Sequence, residues 1–411
     1  MFRRNVHDNV RAALADTPVV FLAGARQTGK TTLVRSLASE IGASYATLDD
    51  PPVLSAAMSD PQGFLQGLGH HAIIDEAQKA PGVFSVIKAA VDRDRQARRY
   101  LLTGSANVLL LPRIAESLAG RMEIITLGPL SQGEIEGRRE RFIDAVFSER
   151  RARLVPGETT PDVVARVAAG GFPEALGRSD GKRRRAWWSA YVTAILQRDV
   201  RDIANIEGLV ELPRLLRLLA ARTGSLLNFS ELSRAAAMPQ TTLKRYLALL
   251  EATFLLAPLP AWSSNLSKRL IKSPKLHLVD SGLAAHLMGL NAQRLREDPQ
   301  ILGHLLENFV VAELRRQAAW QDTAVECFHF RALHSQREVD VVLEDDTGRL
   351  AGIEIKATAT PMARDFAGLR EFADSVGNRF HAGIVLCLAP QSVPFGDRLR
   401  TMPIGALWHS T

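Results

Sequence analysis

Cysteine is almost absent from this chain: Cys327 and Cys387 are the only two among 411 residues. Each falls within a strand-like run and neither has a second thiol at ligand spacing. Neither a disulfide framework nor a zinc site is therefore expected. Long apolar runs are missing too. No stretch approaches the roughly 20 uncharged apolar residues of a membrane-spanning helix, and the opening MFRRNVHDNV lacks the apolar core of a signal peptide. A reducing, cytoplasmic setting with no membrane partner is the expectation. Lysine is scarce, nine of the 51 basic residues, so arginine carries the positive charge. The formal excess of +7 is thin for this length; it permits a polyanionic partner without requiring one. Internal repeats and low-complexity segments are also lacking.

What is present is an ordinary globular balance, 46% hydrophobic and 23% charged, in a length that suits two or three domains. Residues 1–130 alternate helical stretches with five short apolar runs, PVVFLAGA, SYATLD, HHAIIDE, RRYLLTGS and RMEIITLGPL. That alternation predicts a parallel α/β sheet. Residues 131–207 are mostly helical in pattern, broken by AAGGFPEA; the basic run Lys182–Arg185 within them fits a solvated helix start. Residues 208–265 predict three helices and a short extended arm, with Ser230 at or near the start of the second. Residues 266–411 give a helix, three strands (AVECFHFR, REVDVVLE, LAGIEIKA), a helix and a further strand, HAGIVLCLA.

The most informative segment is Gly24-Ala25-Arg26-Gln27-Thr28-Gly29-Lys30-Thr31, followed by Thr32. It satisfies G-x-x-x-x-G-K-[ST] between an apolar strand and a helix, the context in which that spacing cradles phosphate. Glycine lets backbone N–H groups turn inward, Lys30 brings a charge to the β and γ phosphates, and Thr31 can complete a magnesium shell. ATP and Mg2+ are the expected ligands. Some 45 residues on, the apolar run AII ends in Asp75 and Glu76. Asp75 is expected toward the metal, and Glu76 as the base that orients and deprotonates the attacking water. His70 and His71, just before that run, suit a strand edge. After the next strand, Ser105 or Asn107 is placed to sense the γ phosphate, or simply to make a turn. Arg121 is a candidate finger for a neighbouring subunit's site, with Arg113 as competitor and Arg26 as an alternative in cis.

GARQTGKTTL, IIDEAQKAP, LLTGSAN, ESLAGR, PLSQGEI and GGFPEAL, in this order, resemble the prokaryotic AAA-type ATPases whose C-terminal region is catalogued as domain of unknown function 4143. PKLHLVDSGLAAHL, LLEN, REVD and IEIK resemble that region as well. The likeness covers nearly the whole chain and implies ATP-hydrolysing chemistry; a homo-oligomer is expected if Arg121 acts in trans.

Residues 208–265 also resemble a winged helix-turn-helix. In such a module Gln240 and Thr241 would reach DNA bases while Lys244 and Arg245 position phosphates. The order in the tail is that of a restriction-endonuclease-like fold. There Asp340 and Glu354, with Glu307 from the preceding helix, would hold magnesium beside Lys356. Glu354 and Lys356 are two residues apart on a strand and so share a face. The expected architecture is α/β: a P-loop ATPase core (1–130), a helical lid or connector (131–207), a winged helix (208–265), and a C-terminal αβββαβ nuclease-like domain (266–411). The expected function is ATP hydrolysis on or beside DNA. The alternative is an ATP-regulated switch, in defence, toxin–antitoxin or signalling, whose tail docks a protein.

Overall fold

The computed structural model describes residues 2–97, 99–106, 118, 120–148, 158–200, 209–332 and 335–410. They fall into two compact units. One is drawn from Met1–Pro129, Gln197–Ala204 and Ala248–Leu255, the other from Leu130–Leu196, Asn205–Leu247 and Leu256–Thr411.

The first unit is built on five strands, β1 (Val19–Ala23), β2 (Ser44–Thr47), β3 (Ala72–Asp75), β4 (Tyr100–Gly104) and β5 (Met122–Thr126). All pair in parallel in the order β2-β3-β4-β1-β5. Each lies within one of the five apolar runs. Every side chain of β1, β3 and β4 is buried, which is why these strands read as continuous apolar runs: helices cover both faces. Period-two alternation divides β1 between two cores. Val19, Phe21 and Ala23 pack with Ile74, Phe84 and Leu102. Val20 and Leu22 pack with Val34 and Leu37 of the helix Lys30–Ile41 and with Ile73.

The second unit carries the helical stretch and a mixed sheet. Helices Thr160–Ala169, Pro173–Leu176 and Gly181–Ala194 bracket the GGFPEA turn. Asp180 caps the third of these, accepting from the Arg183 N–H, so Lys182–Arg185 is the first turn of a helix. Between residues 208 and 265 the helices are Leu212–Ala220, Phe229–Ala236 and Gln240–Ala252. Asn228, not Ser230, is the N-cap of the second; its side-chain oxygen accepts from the N–H groups of Ser230 and Glu231. The extended arm forms an isolated bridge in place of a full strand: its Leu259 pairs antiparallel with Lys275, as does Leu226 from between the first two helices.

The helix Pro299–Gln317 precedes β6 (Val325–Arg331), β7 (Glu338–Asp345) and β8 (Leu350–Lys356). The helix Ala367–Val376 and β9 (Phe380–Cys387) follow. A strand not expected from the pattern, β10 (Leu399–Pro403), pairs parallel with β9 and completes the order β10-β9-β8-β7-β6. Its sequence, LRTMP, has neither apolar alternation nor a β-branched run; pairing with β9 decides it. The segment around Asp280 also gains a role. Asp280 caps the helix Ser281–Leu287, accepts from the Gly171 N–H at 2.8 Å and pairs with Arg316 at 3.3 Å. Any Cβ on Gly170 would lie 2.0 Å from an Asp280 oxygen. The GGFPEA and LVDSGL motifs are thus two sides of one buried polar junction.

Candidate functional site

The phosphate loop leaves β1 at Gly24, where a Cβ would stand 2.2 Å from the Leu127 carbonyl oxygen. Only glycine fits there. Gln27 and Gly29 take positive φ values of 61° and 96°, curling the loop before the helix begins at Lys30. Buried Thr28 donates to the Ala25 carbonyl at 2.9 Å, tying the loop to itself. From outside, Arg4 donates to the carbonyls of Thr28, at 2.6 Å, and Gly128, at 2.9 Å. Arg26 is half-buried, and Gln27 and Thr32 are exposed. Lys30 is 4% exposed and donates to the loop's own carbonyls, Gly24 at 2.8 Å and Ala25 at 2.9 Å. The ammonium therefore sits inside the curl that its motif builds for phosphate.

Asp75 ends β3 facing that loop. Its Oδ2 accepts from the Thr31 hydroxyl at 2.8 Å and from the Tyr45 hydroxyl at 3.0 Å, and its Oδ1 accepts from Thr103. Burial pushes the Tyr45 hydroxyl's pKa upward, the neighbouring Asp75 charge adding to it, so Tyr45 is a proton donor here. Thr103 also accepts the Glu76 N–H at 2.9 Å. One hydroxyl on β4 thus joins both acidic residues. Glu76 itself has φ 58°, the left-handed region that a glutamate enters at a cost of about 1 kcal/mol. Its Oε2 accepts from Gln78 and from Ser105, the latter at 3.3 Å. The strained turn aims this carboxylate along the strand edge, and Gln78 and Ser105 hold it there.

Thr31 and Asp75 supply hard oxygens hydrogen-bonded to one another at the mouth of the loop, a donor set that suits magnesium. Ser105 joins the site through Glu76. Asn107 and Arg113 lie outside the described residues. Arg121 precedes Met122, which pairs with Val19 at the start of β1. The loop leaves the other end of that strand, about 13 Å away at ~3.3 Å per residue. Arg121 pairs with Asp92 at 2.5 Å and lowers that carboxyl's pKa. It does not face the loop of its own chain. Thr103, Tyr45, Gln78 and Arg4 were not legible as site residues. Polar groups inside an apolar strand, as in LLTGS, were the one available signal.

On the helix Gln240–Ala252, Gln240, Thr241, Lys244 and Arg245 are all exposed while Leu243, Tyr246, Leu247 and Leu250 are buried. Gln240 donates to the Ser230 hydroxyl at 3.2 Å, and the Lys244 ammonium lies 5.1 Å from the Phe229 ring centre.

The tail brings Glu307, Asp340 and Glu354 together, but around an ammonium. Buried Lys275 lies 2.9 Å from Glu307, 2.8 Å from Asp340 and 3.4 Å from Glu338. Lys356 pairs with Glu354 at 2.7 Å. Asp340 uses both oxygens, Oδ1 for Lys275 and Oδ2 for the Ile355 N–H at 3.0 Å. A divalent ion does not fit this cluster as it stands, because the position between Glu307 and Asp340 is filled. Of the expected magnesium ligands, Glu307 and Asp340 pair with Lys275, which the sequence pattern did not single out, and Glu354 pairs with Lys356. Among the described residues, the group of acidic and histidine side chains close enough to share an ion is elsewhere, at Glu136, Glu158 and His409. Arg166 pairs with both of those glutamates.

A parallel sheet with a G-x-x-x-x-G-K-T loop between β1 and its helix, and an acidic pair ending β3, defines a P-loop ATPase fold. An AAA domain model matches residues 16–136, and models of two domains of unknown function match 160–294 (DUF8612) and 302–407 (DUF4143). Uncharacterized proteins of Mycobacterium tuberculosis and Mycobacterium bovis are 32% identical over 360 residues, 87% of this chain and 75% of theirs. The chain belongs to this family of AAA-type ATPases with a C-terminal DUF4143 domain. Among solved structures, a Walker-type ATPase of Pyrococcus abyssi aligns with 70% of this chain and 96% of its own at 14% identity and TM-score 0.43. The RuvB branch-migration motor of Thermotoga maritima covers 65% and 94% at 19% identity and TM-score 0.28. No helix among the described residues is long and apolar enough to cross a membrane.

Proposed function

We propose that this protein binds and hydrolyses ATP at the loop Gly24–Thr31, and that the cycle acts on or beside DNA held by the helix Gln240–Ala252. The observation that supports the chemistry is the chain of contacts Thr31–Asp75–Thr103–Glu76, which links loop, metal ligand and base through the two threonine hydroxyls. Lys30 exchanges its two carbonyl partners for the β and γ phosphates. Thr31 and Asp75 would hold magnesium, which when bound neutralises charge on those phosphates. Glu76, kept in place by Gln78 and Ser105, takes the proton of the attacking water. Arg121, facing away from its own loop, serves a neighbouring subunit in a homo-oligomer. In this scheme residues 131–207 are the connector that carries the nucleotide state onward to the winged helix (208–265) and the tail (266–411).

The DNA part is supported by the four exposed polar and basic residues on one side of a helix whose other side is buried. The test is ATP turnover with and without linear and branched duplexes, alongside DNA retention. Wild-type turnover should rise on DNA, and Lys30→Ala should show none. Turnover unchanged by DNA, with no retention, would remove the DNA half and leave the ATPase intact. A second function, an ATP-regulated switch that docks a protein, is favoured by one observation: Leu266, Leu270 and Ile271 are all more than 70% exposed on one short helix. Slow turnover, indifference to DNA and a co-purifying protein would favour it.

A further inference from the structure

We propose that Lys275 stands permanently where a nuclease-type site would hold its metal, so that the carboxylate cluster of the tail is a structural clasp and not a catalytic centre. The inference is independent of the ATP site.

Three segments meet at the ammonium. Glu307 comes from the helix Pro299–Gln317, and Asp340 and Glu338 come from β7. Lys275 itself is the centre of the small ribbon it forms with Leu226 and Leu259. Its backbone exchanges two hydrogen bonds of 2.9 Å with Leu259, and on its flanks Pro274 accepts from Leu227 and Leu276 accepts from Gly224. The side chain therefore has little freedom to withdraw. Glu307 in turn abuts Gly224, where a Cβ would lie 2.9 Å from Oε2. A cation delivered by the chain is satisfied by three carboxylates at contact distance, the arrangement that burial of an ammonium demands.

The remaining charges agree. Burial opposes the Lys275 charge, yet Asp340 and Glu307 outweigh it and raise the ammonium's pKa. Burial and the Asp340 charge together raise the pKa of Glu307 and Glu354. One Glu354 oxygen accepts from Lys356 at 2.7 Å, and the other is buried without a hydrogen-bond partner.

The experiment is Mn2+ titration of the full chain, followed by electron paramagnetic resonance, with thermal unfolding in parallel. Wild type and Asp340→Asn should bind the same number of ions. Lys275→Met, folded by circular dichroism, should gain one Mn2+ that Lys275→Met/Asp340→Asn loses again. Its unfolding midpoint should fall by roughly 10 °C without metal and recover in part with Mn2+. An ion on wild type that Asp340→Asn abolishes would overturn the proposal. So would a folded Lys275→Met that gains none, or Mg2+-dependent DNA cleavage by wild type that Glu354→Gln removes. Should Lys275→Met not fold, the comparison of wild type with Asp340→Asn still decides.

Discussion

Thr31 donates its hydroxyl to Asp75 across 2.8 Å, joining the first turn of the helix after β1 to the end of β3. Both residues are expected to turn toward one metal, and they already meet. Much of what can be tested follows from how tightly the groups around this contact are held.

Glu76→Gln should leave ATP affinity within a few-fold of wild type and lower turnover about 10²- to 10⁴-fold, since the amide cannot take the water's proton. Nucleotide binding measured beside phosphate release checks this. Unchanged turnover would move the base to another residue.

Thr103→Val keeps shape but removes the hydroxyl shared by Asp75 and the Glu76 N–H. Two buried polar groups then lose a partner, at about 1–3 kcal/mol each. Chemical unfolding should show a loss of at least about 2 kcal/mol, and turnover should fall with it. A variant as stable and as active as wild type would show that this hydroxyl organises nothing.

Gly24→Ala places a methyl group 2.2 Å from the Leu127 carbonyl oxygen, so the loop must shift. ATP binding should be lost while the fold persists, as read by calorimetry and circular dichroism. Gly42, which ends the helix Lys30–Ile41 at φ 66° with open space around it, should as Ala cost about 1 kcal/mol of stability with ATP binding unchanged.

Arg121→Ala alone and Glu76→Gln alone should each be nearly inactive. Mixed, they should regain part of the turnover if Arg121 completes a neighbour's site, because some interfaces then pair an intact arginine with an intact glutamate. Mixing that restores nothing would count against action in trans.

The acid side of the stability profile should carry a histidine signature. Burial, helped by the Lys275 charge, lowers His277 to about 3 from its ordinary 6.5. Between those values the unfolded chain binds a proton that the folded one refuses, so stability falls as pH drops through 6.5 toward 3. His277→Leu should flatten that slope in thermal melts taken from pH 7 to pH 4. An equal slope in both proteins would assign the effect elsewhere.

The five strands of the first sheet were legible because each is an apolar run closed by turn residues, and the phosphate loop because its glycines and Lys30 follow a strand at fixed spacing. β10 was not, since LRTMP becomes a strand through pairing with β9. Ser230 lies in the first turn of its helix, one of the two places expected for it, while the cap is Asn228, which has the extended backbone and the side-chain oxygen that accepts both free N–H groups.

By itself the sequence determined the ATP loop, the acidic pair after it and the order of the elements, because these depend on spacings of a few residues along one strand or one helix. Tertiary structure alone decided who stands beside whom. Thr103 and Tyr45 reach Asp75 from 28 and 30 residues away, and Lys275 reaches Asp340 from 65. No local pattern records that a carboxylate is shared by three hydroxyls, or that a buried cluster of acids has been supplied with a lysine; packing and the need to compensate buried charge settle both.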